Sequence, residues 1–325
     1  MKPRIFVTRR IPEIGMEMLR QEAEVELWQE PYPPEYSTLI QKAEGVDGLL
    51  CMLTDRIDGN LMDNIGPQLK VISQVAVGVD NIDVSAATAR SIPVGNTPGV
   101  LTDTTADLAW ALLMAAARRV VESDRFVRAG KWKTWGPIDF LGLDVSGATL
   151  GIVGFGRIGQ AVARRAHGFG MRILYHSRRH HPKAEDECRA EYVDLETLLR
   201  EADFVSLHTN LTQETHHLIN DERFAMMKPT GILINTSRGS VVDPKALYRA
   251  LASGTIAYAA LDVTEPEPIE PDDPLLILDN IVVIPHIGSA SVRTRSKMAE
   301  MAAENLIAGL KGERLPNCAN PRVYD

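Results

Sequence analysis

The sequence predicts an α/β protein built from two doubly wound parallel-sheet domains, and three observations lead to this prediction. Short apolar runs rich in β-branched residues alternate with helical stretches along the chain, a pattern typical of parallel sheets. A G-x-G-x-x-G turn at residues 154–159 lies between a strand signal and a helix signal. The length, 325 residues, suffices for two domains that each bury a core.

The first region, residues 1–100, contains no glycine fingerprint and is predicted to be a substrate-binding domain. Its predicted strands are 4–8, 25–28, 46–53, 71–76 and 92–96, and its predicted helices are 14–23, 36–43, 61–65 and 85–90. Val77-Gly78-Val79-Asp80 directly follows a predicted strand, so it lies at the carboxyl end of the sheet. That edge is where open α/β sheets bind ligands.

A long helical pattern from Thr104 to Val121, capped by Thr102 or Asp103, is predicted to connect the two domains. The following segment, 130–147, is predicted to be a loop and contains large apolar side chains, namely Trp132, Trp135, Phe140 and Leu141. A long loop of this kind usually packs against something. Packing on its own domain and contact with a second subunit both remain open at this point.

The glycine-rich turn predicts a dinucleotide site. After a buried strand at 150–153, Gly154 allows a tight turn, Gly156 lets backbone approach a pyrophosphate, and Gly159 permits close helix–strand packing. The N-terminus of the next helix offers free N–H groups to phosphates. The alternative is a phosphate-free α/β turn. Further strands are predicted at 172–176, 203–208, 231–236, 257–263 and 281–286, and a last helix at 289–310 is expected to return to the first domain.

Composition excludes several classes of function. The net charge of −8 without a basic block argues against a nucleic-acid partner, and no apolar run reaches the length of a membrane span. The basic N-terminus is not expected to be a signal peptide, since no long apolar region follows it. Cys51, Cys188 and Cys318 lack metal spacing and fit reduced thiols in the cytoplasm. No metal is expected at the histidine pairs 180–181 and 216–217, because adjacent histidines on turns lack facing geometry and acidic neighbours.

Three polar residues follow predicted strands in the second half, namely Arg238, Glu267 and His286. Taken singly they read as a surface arginine, a loop acid and a capped histidine. Together they match the reduction of a 2-oxo acid, which needs a proton donor for the ketone oxygen and a cation for the carboxylate. A carboxylate on the second ring nitrogen would fix the tautomer of the histidine. The arginine would bind the substrate with its planar fork.

The chain resembles the D-isomer-specific 2-hydroxyacid dehydrogenases, most closely the glyoxylate/hydroxypyruvate reductase branch. The resemblance rests on SRGSVVD, LDVTEPEP, PHIGSA, VGVDNID, TPGVLTDTTAD and GFGRIG, and it covers nearly the whole chain. It implies that Arg238 binds substrate and that Glu267 partners His286, the acid/base, with Glu265 as a rival for the partner role. The implied substrate site further includes Val77 and Gly78, whose backbone N–H groups would hold the carboxylate, together with Leu53 and Trp135.

The expected cofactor is NADP(H), with NAD(H) possible. No acid follows the predicted strand 172–176, which is the second strand of the dinucleotide-binding region. Ser177, Arg178 and Arg179 follow it instead, and arginines accommodate a 2′-phosphate. A solvated basic loop is the alternative reading. The complete set of expected cofactor residues is Thr104, Gly154, Gly156, Arg157, Ile158, Gly159, Ser177, Arg178, Arg179, His208, Asn210, Thr215, Thr236, Ser237, Arg238, Asp262, His286 and Gly288. Among them Asn210 departs from the resemblance, since similar proteins more often have proline there.

The resemblance also implies a Rossmann domain at 101–287, inserted in a flavodoxin-like substrate domain formed by 1–100 and 288–325, and a homodimer built on the Rossmann domains. Trp135 would then lie near the active site of the partner. The competing functions are a dehydrogenase for another D-2-hydroxy acid, of the 2-ketogluconate or phosphoglycerate type, and a cofactor-sensing corepressor. Formate dehydrogenases carry glutamine in place of the acid, so Glu267 argues against them.

Overall fold

The computed structural model describes residues 2–325, which contain twelve β-strands and twelve α-helices. The strands are β1 (Arg4–Val7), β2 (Glu24–Leu27), β3 (Gly48–Cys51), β4 (Val71–Gln74), β5 (Val94–Gly95), β6 (Thr149–Val153), β7 (Arg172–His176), β8 (Ala190–Tyr192), β9 (Phe204–Leu207), β10 (Ile232–Asn235), β11 (Tyr258–Leu261) and β12 (Ile281–Val283). The helices are α1 (Glu13–Glu22), α2 (Tyr36–Ala43), α3 (Gly59–Ile65), α4 (Val84–Ala89), α5 (Thr102–Ala117), α6 (Val120–Arg128), α7 (Arg157–Ala166), α8 (Pro182–Cys188), α9 (Leu195–Glu201), α10 (Asp221–Met226), α11 (Pro244–Ala252) and α12 (Val292–Leu310). Short 3₁₀ helices lie at His167–Phe169, Gly239–Val241, Pro274–Ile277 and Pro321–Tyr324.

The chain divides into two compact units. The first comprises residues 2–101 and 289–325, and the second is the continuous segment 102–288. Each unit contains one sheet, and every strand pair in both sheets is parallel. The predicted fold class is therefore confirmed. No helix within residues 2–325 is long and apolar enough to cross a membrane.

The first unit has the strand order β2-β1-β3-β4-β5, the flavodoxin-like arrangement. The last helix of the chain, α12, packs against this sheet through small residues. A Cβ placed on Gly309 would lie 2.5 Å from Cβ of Val71 in β4, so glycine permits this close approach. The N-cap of α12 is Ser291, whose Oγ accepts a hydrogen bond from the amide of Thr294.

The second unit has the order β12-β11-β10-β9-β6-β7-β8, the doubly wound order of dinucleotide-binding proteins with one added strand. The strand order reverses between β6 and β9, which creates the switch point where such sheets bind ligands. Helix α5 covers one face of this sheet. Its Trp110 stacks on Phe169 with ring centroids 4.9 Å apart and donates a hydrogen bond to the carbonyl of Val162.

Two predictions about the elements of the second unit were wrong. The helix predicted for Thr104–Val121 is two helices, α5 and α6, because Arg119 adopts a left-handed conformation with φ of 51° between them. The helix α5 begins at Thr102, so Thr102 and Asp103 lie in its first turn. Strand β8 was missed, since its sequence Ala-Glu-Tyr is short and only Ala190 is buried.

Candidate active site

Three neighbouring strands of the second unit bring the predicted catalytic residues to one edge of the sheet. Arg238 follows β10, Glu267 follows β11 and His286 follows β12. The strands are parallel and in register, with Asn235 opposite Leu261 and Leu261 opposite Val283. Their carboxyl ends therefore lie side by side.

His286 and Glu267 form a close pair at this edge. The Nδ1 atom of His286 lies 2.5 Å from Oε1 of Glu267, and the two side chains are 27% and 31% exposed. A carboxylate accepts hydrogen bonds only, so Nδ1 carries the hydrogen and donates it. The pair therefore leaves Nε2 as the ring nitrogen that can exchange a proton with a ligand.

The carboxylate of Asp262 holds the backbone turn on which His286 stands. Its Oδ1 accepts a hydrogen bond from the amide of Ile287 at 2.6 Å, and its Oδ2 accepts one from the amide of Gly288 at 2.8 Å. The amide of His286 itself donates to the carbonyl of Asp262. Burial raises the pKa of the Asp262 carboxyl, although these amides and the nearby His286 oppose the shift. The turn fixes His286 in a left-handed conformation with φ of 50°.

A second buried polar residue, Asn235, shapes the turn that presents Arg238. Its Oδ1 accepts hydrogen bonds from the amide and the hydroxyl of Ser237, at 3.0 and 2.8 Å. Its Nδ2 donates to the carbonyl of Arg238 at 2.9 Å. The guanidinium of Arg238 is half-buried, and its Nη1 donates to the carbonyl of Ser237. The direction in which the arginine leaves the sheet is thus set by a side chain in β10.

The glycine-rich turn after β6 has the geometry of a phosphate-binding turn. A Cβ on Gly154 would lie 2.5 Å from the carbonyl oxygen of His208, and one on Gly159 would lie 2.2 Å from that of Gly154. At Gly156, the N-cap of α7, a Cβ would have no protein atom within 4 Å. Two glycines are therefore required by packing, whereas the third keeps the N-terminus of α7 open to a ligand.

His208 follows β9 at the switch point and has a neutral imidazole. Burial lowers the pKa of this histidine to about 4. Its Nε2 lies 2.8 Å from the hydroxyl of Ser206, a hydrogen bond that a neutral ring can make in either direction.

The residues predicted to accommodate a 2′-phosphate follow β7. The hydroxyl of Ser177 donates to the carbonyl of Arg179, and the hydroxyl of Tyr192 donates to the carbonyl of Ser177 at 3.4 Å. Arg178 and Arg179 are exposed. These two hydrogen bonds stabilise the loop backbone, and both guanidinium groups are accessible to solvent.

In the first unit, Val77 and Gly78 lie after β4 with their carbonyls turned into the protein. The carbonyl of Val77 accepts a hydrogen bond from Asn96 Nδ2 at 2.9 Å, and that of Gly78 accepts one from Gln74 Nε2. Among the backbone hydrogen bonds of residues 2–325, none is donated by the amides of Val77 or Gly78.

Comparison with known proteins identifies the family. The model for the NAD binding domain of D-isomer specific 2-hydroxyacid dehydrogenases matches residues 110–288. The chain belongs to this family. The glyoxylate reductase of Korarchaeum cryptofilum is 59% identical over 324 residues, 99% of this chain and 97% of that protein. Such relatives place the chain in the glyoxylate reductase branch.

Two solved structures are also similar to this dehydrogenase. A protein from Thermus thermophilus superposes with a TM-score of 0.92 at 50% identity, covering 97% of this chain and 99% of that one. The NADPH-dependent glyoxylate/hydroxypyruvate reductase of Sinorhizobium meliloti, solved with NADP and malonate, gives a TM-score of 0.88 at 33% identity. That match covers 99% of this chain and 98% of the other.

The remaining predicted cofactor residues of the dehydrogenase lie on or beside the same sheet edge. Arg157 and Ile158 begin α7, Thr104 lies in the first turn of α5, and Thr236 and Ser237 are buried after β10. Asn210 is exposed, and its carbonyl accepts a hydrogen bond from the hydroxyl of Thr215 at 2.7 Å. The hydroxyl of Thr215 therefore closes the loop that contains Asn210, the position where similar proteins more often have proline.

Glu265, the predicted rival for the partner of His286, has other contacts in the dehydrogenase. Its Oε2 lies 2.6 Å from Nε2 of His217, and its Oε1 accepts a hydrogen bond from the hydroxyl of Ser240 at 2.7 Å. The expectation that the histidine pairs lack acidic neighbours was wrong, since His217 contacts Glu265 and His180 contacts Glu185. Glu265 comes from a segment 48 positions away from His217, so sequence proximity could not show that contact, whereas Glu185 lies only five positions after His180.

The segment 130–147 exposes most of its large apolar side chains. Trp132 is 61% and Trp135 77% exposed, and Ile138 and Leu141 are exposed as well. The two tryptophans therefore do not pack on their own domain, which was one of the two alternatives for this loop. Phe140 differs, because it packs edge-on against Phe126 with ring centroids 5.1 Å apart.

The sequence analysis missed Asn235 and Ser240, and it identified Asp262 only as an expected cofactor residue. Asn235 and Asp262 are polar residues at strand ends that are almost fully buried, and each organises a turn that carries a candidate catalytic side chain. A buried polar residue must be hydrogen-bonded, so an Asn or Asp that interrupts an apolar strand was the available signal.

Proposed function

We propose that this dehydrogenase is an NADPH-preferring reductase that converts glyoxylate to glycolate and hydroxypyruvate to D-glycerate. The observation that carries the proposal is the pair of His286 and Glu267, 2.5 Å apart, at the sheet edge that also bears Arg238. The names of the relatives support the substrate, since the archaeal proteins are glyoxylate reductases and the Sinorhizobium meliloti protein is a glyoxylate/hydroxypyruvate reductase.

His286 is the proton donor in this proposal. When bound, the nicotinamide supplies a hydride to the carbonyl carbon of the 2-oxo acid. His286 Nε2 gives its proton to the carbonyl oxygen. Glu267, on Nδ1, keeps the ring oriented and stabilises the protonated imidazole before transfer. In the oxidation direction the same nitrogen removes the hydroxyl proton.

Two groups are proposed to bind the substrate carboxylate. Arg238 offers a planar fork, and its turn is held by Asn235. The backbone amides of Val77 and Gly78 are the second group. Within residues 2–325 neither amide donates a hydrogen bond to a backbone carbonyl, and the carbonyls of both residues accept hydrogen bonds from side chains. Leu53 and Trp135 are proposed to limit the size of the substrate, so glyoxylate and hydroxypyruvate should be reduced more efficiently than phenylpyruvate.

The second unit fits a dinucleotide. The open position at Gly156 lets the N-terminus of α7 hold the pyrophosphate, and the packing glycines 154 and 159 fix the turn. Arg178 and Arg179, together with Ser177, are proposed to bind the 2′-phosphate, because their guanidinium groups are exposed and no acid ends β7.

The deciding experiment compares kcat/KM for glyoxylate with NADPH and with NADH, in the parent and in an Arg178→Ala/Arg179→Ala variant. The parent should favour NADPH, and the variant should raise KM for NADPH roughly tenfold or more while KM for NADH changes little. Lys183→Ala, an exposed basic residue after the loop, is the matched control. A parent that favours NADH, or a variant with an unchanged cofactor ratio, contradicts the assignment.

We also propose a homodimer formed through the second unit. The exposed side chains of Trp132, Trp135, Ile138 and Leu141 form an apolar set on one segment, of the composition found in subunit interfaces. Light scattering after size-exclusion chromatography should give twice the mass of the chain. Trp132→Ser/Trp135→Ser should shift the mass toward the monomer. A monomeric parent at micromolar concentration refutes the dimer.

A further inference from the structure

Glu265 joins three separate segments around the candidate active site. Its two carboxylate oxygens accept hydrogen bonds from the hydroxyl of Ser240, at 2.7 Å, and from Nε2 of His217, at 2.6 Å. The amide of His217 in turn donates to the carbonyl of Ser240 at 2.7 Å. Each of the three residues is thus in contact with the other two.

Two of these segments carry groups of the proposed reaction. Ser240 lies two residues after Arg238, and Glu265 lies two residues before Glu267. The backbones of the two segments also touch, since a Cβ on Gly239 would lie only 1.8 Å from the carbonyl oxygen of Thr264. Any shift of the Thr264–Glu265 backbone would therefore displace the arginine turn as well.

We propose that Glu265 is a positioning residue, which fixes the substrate-binding turn of Arg238 relative to the Glu267–His286 pair. This inference rests on the proposed function of that pair. Partial burial raises the pKa of the Glu265 carboxyl, but the hydrogen bonds from His217 and Ser240 outweigh it and leave the pKa below its ordinary value. The group is therefore an ionised acceptor at neutral pH, and both donors are directed at it. His217 supplies the second anchor and keeps the carboxylate from turning toward solvent.

The same side chains have the residue types of a metal site, with His216 Nε2 lying 3.8 Å from Glu265 Oε1. The geometry favours hydrogen bonding. Two ligands of one tetrahedral zinc ion lie about 3.3 Å apart, whereas His217 Nε2 and Glu265 Oε2 are 2.6 Å apart. An ion would have to separate a pair that is already in direct contact.

The test compares Glu265→Ala, Glu265→Gln and the control Glu270→Gln, an exposed acid of the same loop. Glu265→Ala should raise KM for glyoxylate roughly tenfold and lower kcat severalfold, because the arginine is displaced from the proton donor. KM for NADPH should change less than about twofold. Glu265→Gln should recover most of the activity, since its amide oxygen still accepts from Ser240 and its amide nitrogen can donate to a neutral His217. The control should match the parent.

This pattern separates positioning from other roles. A merely structural role would reduce the folded fraction, and with it kcat, but would leave KM for glyoxylate unchanged. Should Glu265→Ala fail to fold, Ser240→Ala should raise the same KM about threefold, and adding Glu265→Gln to it should cause little further loss. Unchanged kinetics of Glu265→Ala, or activity that chelation removes and zinc restores, overturns the inference. A parent that does not reduce glyoxylate at all refutes the proposed function instead.

Discussion

His208 should make the dehydrogenase less stable in weak acid, and the size of this effect follows from its environment. Burial lowers the pKa of His208 from an ordinary 6.5 to about 4. The unfolded chain therefore takes up a proton at a higher pH than the folded chain does. The stability gained from the neutral ring is fully present above pH 6.5 and is lost as the pH falls through about 4.

The full difference between the two pKa values corresponds to about 3 kcal/mol. Because the side chain retains some exposure, we expect roughly 1–2 kcal/mol to be observed. His208→Gln removes the titrating group and keeps an amide that can bond with the Ser206 hydroxyl. The difference in unfolding free energy between parent and variant isolates the contribution of His208, since all other titrating groups are shared.

The assay is urea unfolding at pH 7.5 and pH 4.5, followed by tryptophan fluorescence, to which the buried Trp110 of the same unit contributes. On acidification the parent should lose roughly 1–2 kcal/mol more than His208→Gln does. A ¹H–¹⁵N NMR titration of the ring gives the pKa directly. Parallel stability curves for the two proteins, or a ring that titrates near 6.5, would refute the reasoning.

The other predictions concern activity and packing. His286→Asn should lower kcat roughly a hundredfold or more, and Glu267→Gln should lower it less, about tenfold, in steady-state assays with saturating NADPH. Near-normal turnover of His286→Asn would contradict its role as the proton donor. Gly239→Ala should destabilise the protein by about 3 kcal/mol or prevent folding, because its Cβ would lie 1.8 Å from the Thr264 carbonyl oxygen. Gly156→Ala, with no protein atom within 4 Å of its Cβ, should leave the melting temperature unchanged and raise KM for NADPH; a lower melting temperature would show that this position is packed.

Much of the fold was predictable because its signals are local. A buried parallel strand requires a continuous apolar run, and the alternation of such runs with amphipathic helices specifies parallel α/β sheets whatever the order of the strands. The break after Ala117 was not predictable in this way, since the apolar pattern continues through Val120 while a left-handed Arg119 redirects the chain. Strand β8 gave no signal because it lies at a sheet edge with two exposed residues out of three.

The candidate site shows the same division. The sequence by itself determined which chemical groups follow the strands, because the strand ends and the residues Arg238, Glu267 and His286 are read directly from it. The tertiary structure decided the strand order and register that place these groups side by side. It also decided that Glu267, and not Glu265, contacts His286. Contacts such as Glu265 with His217 join residues 48 positions apart. Their geometry depends on loop backbones that no local periodicity specifies, so only the packed fold determines them.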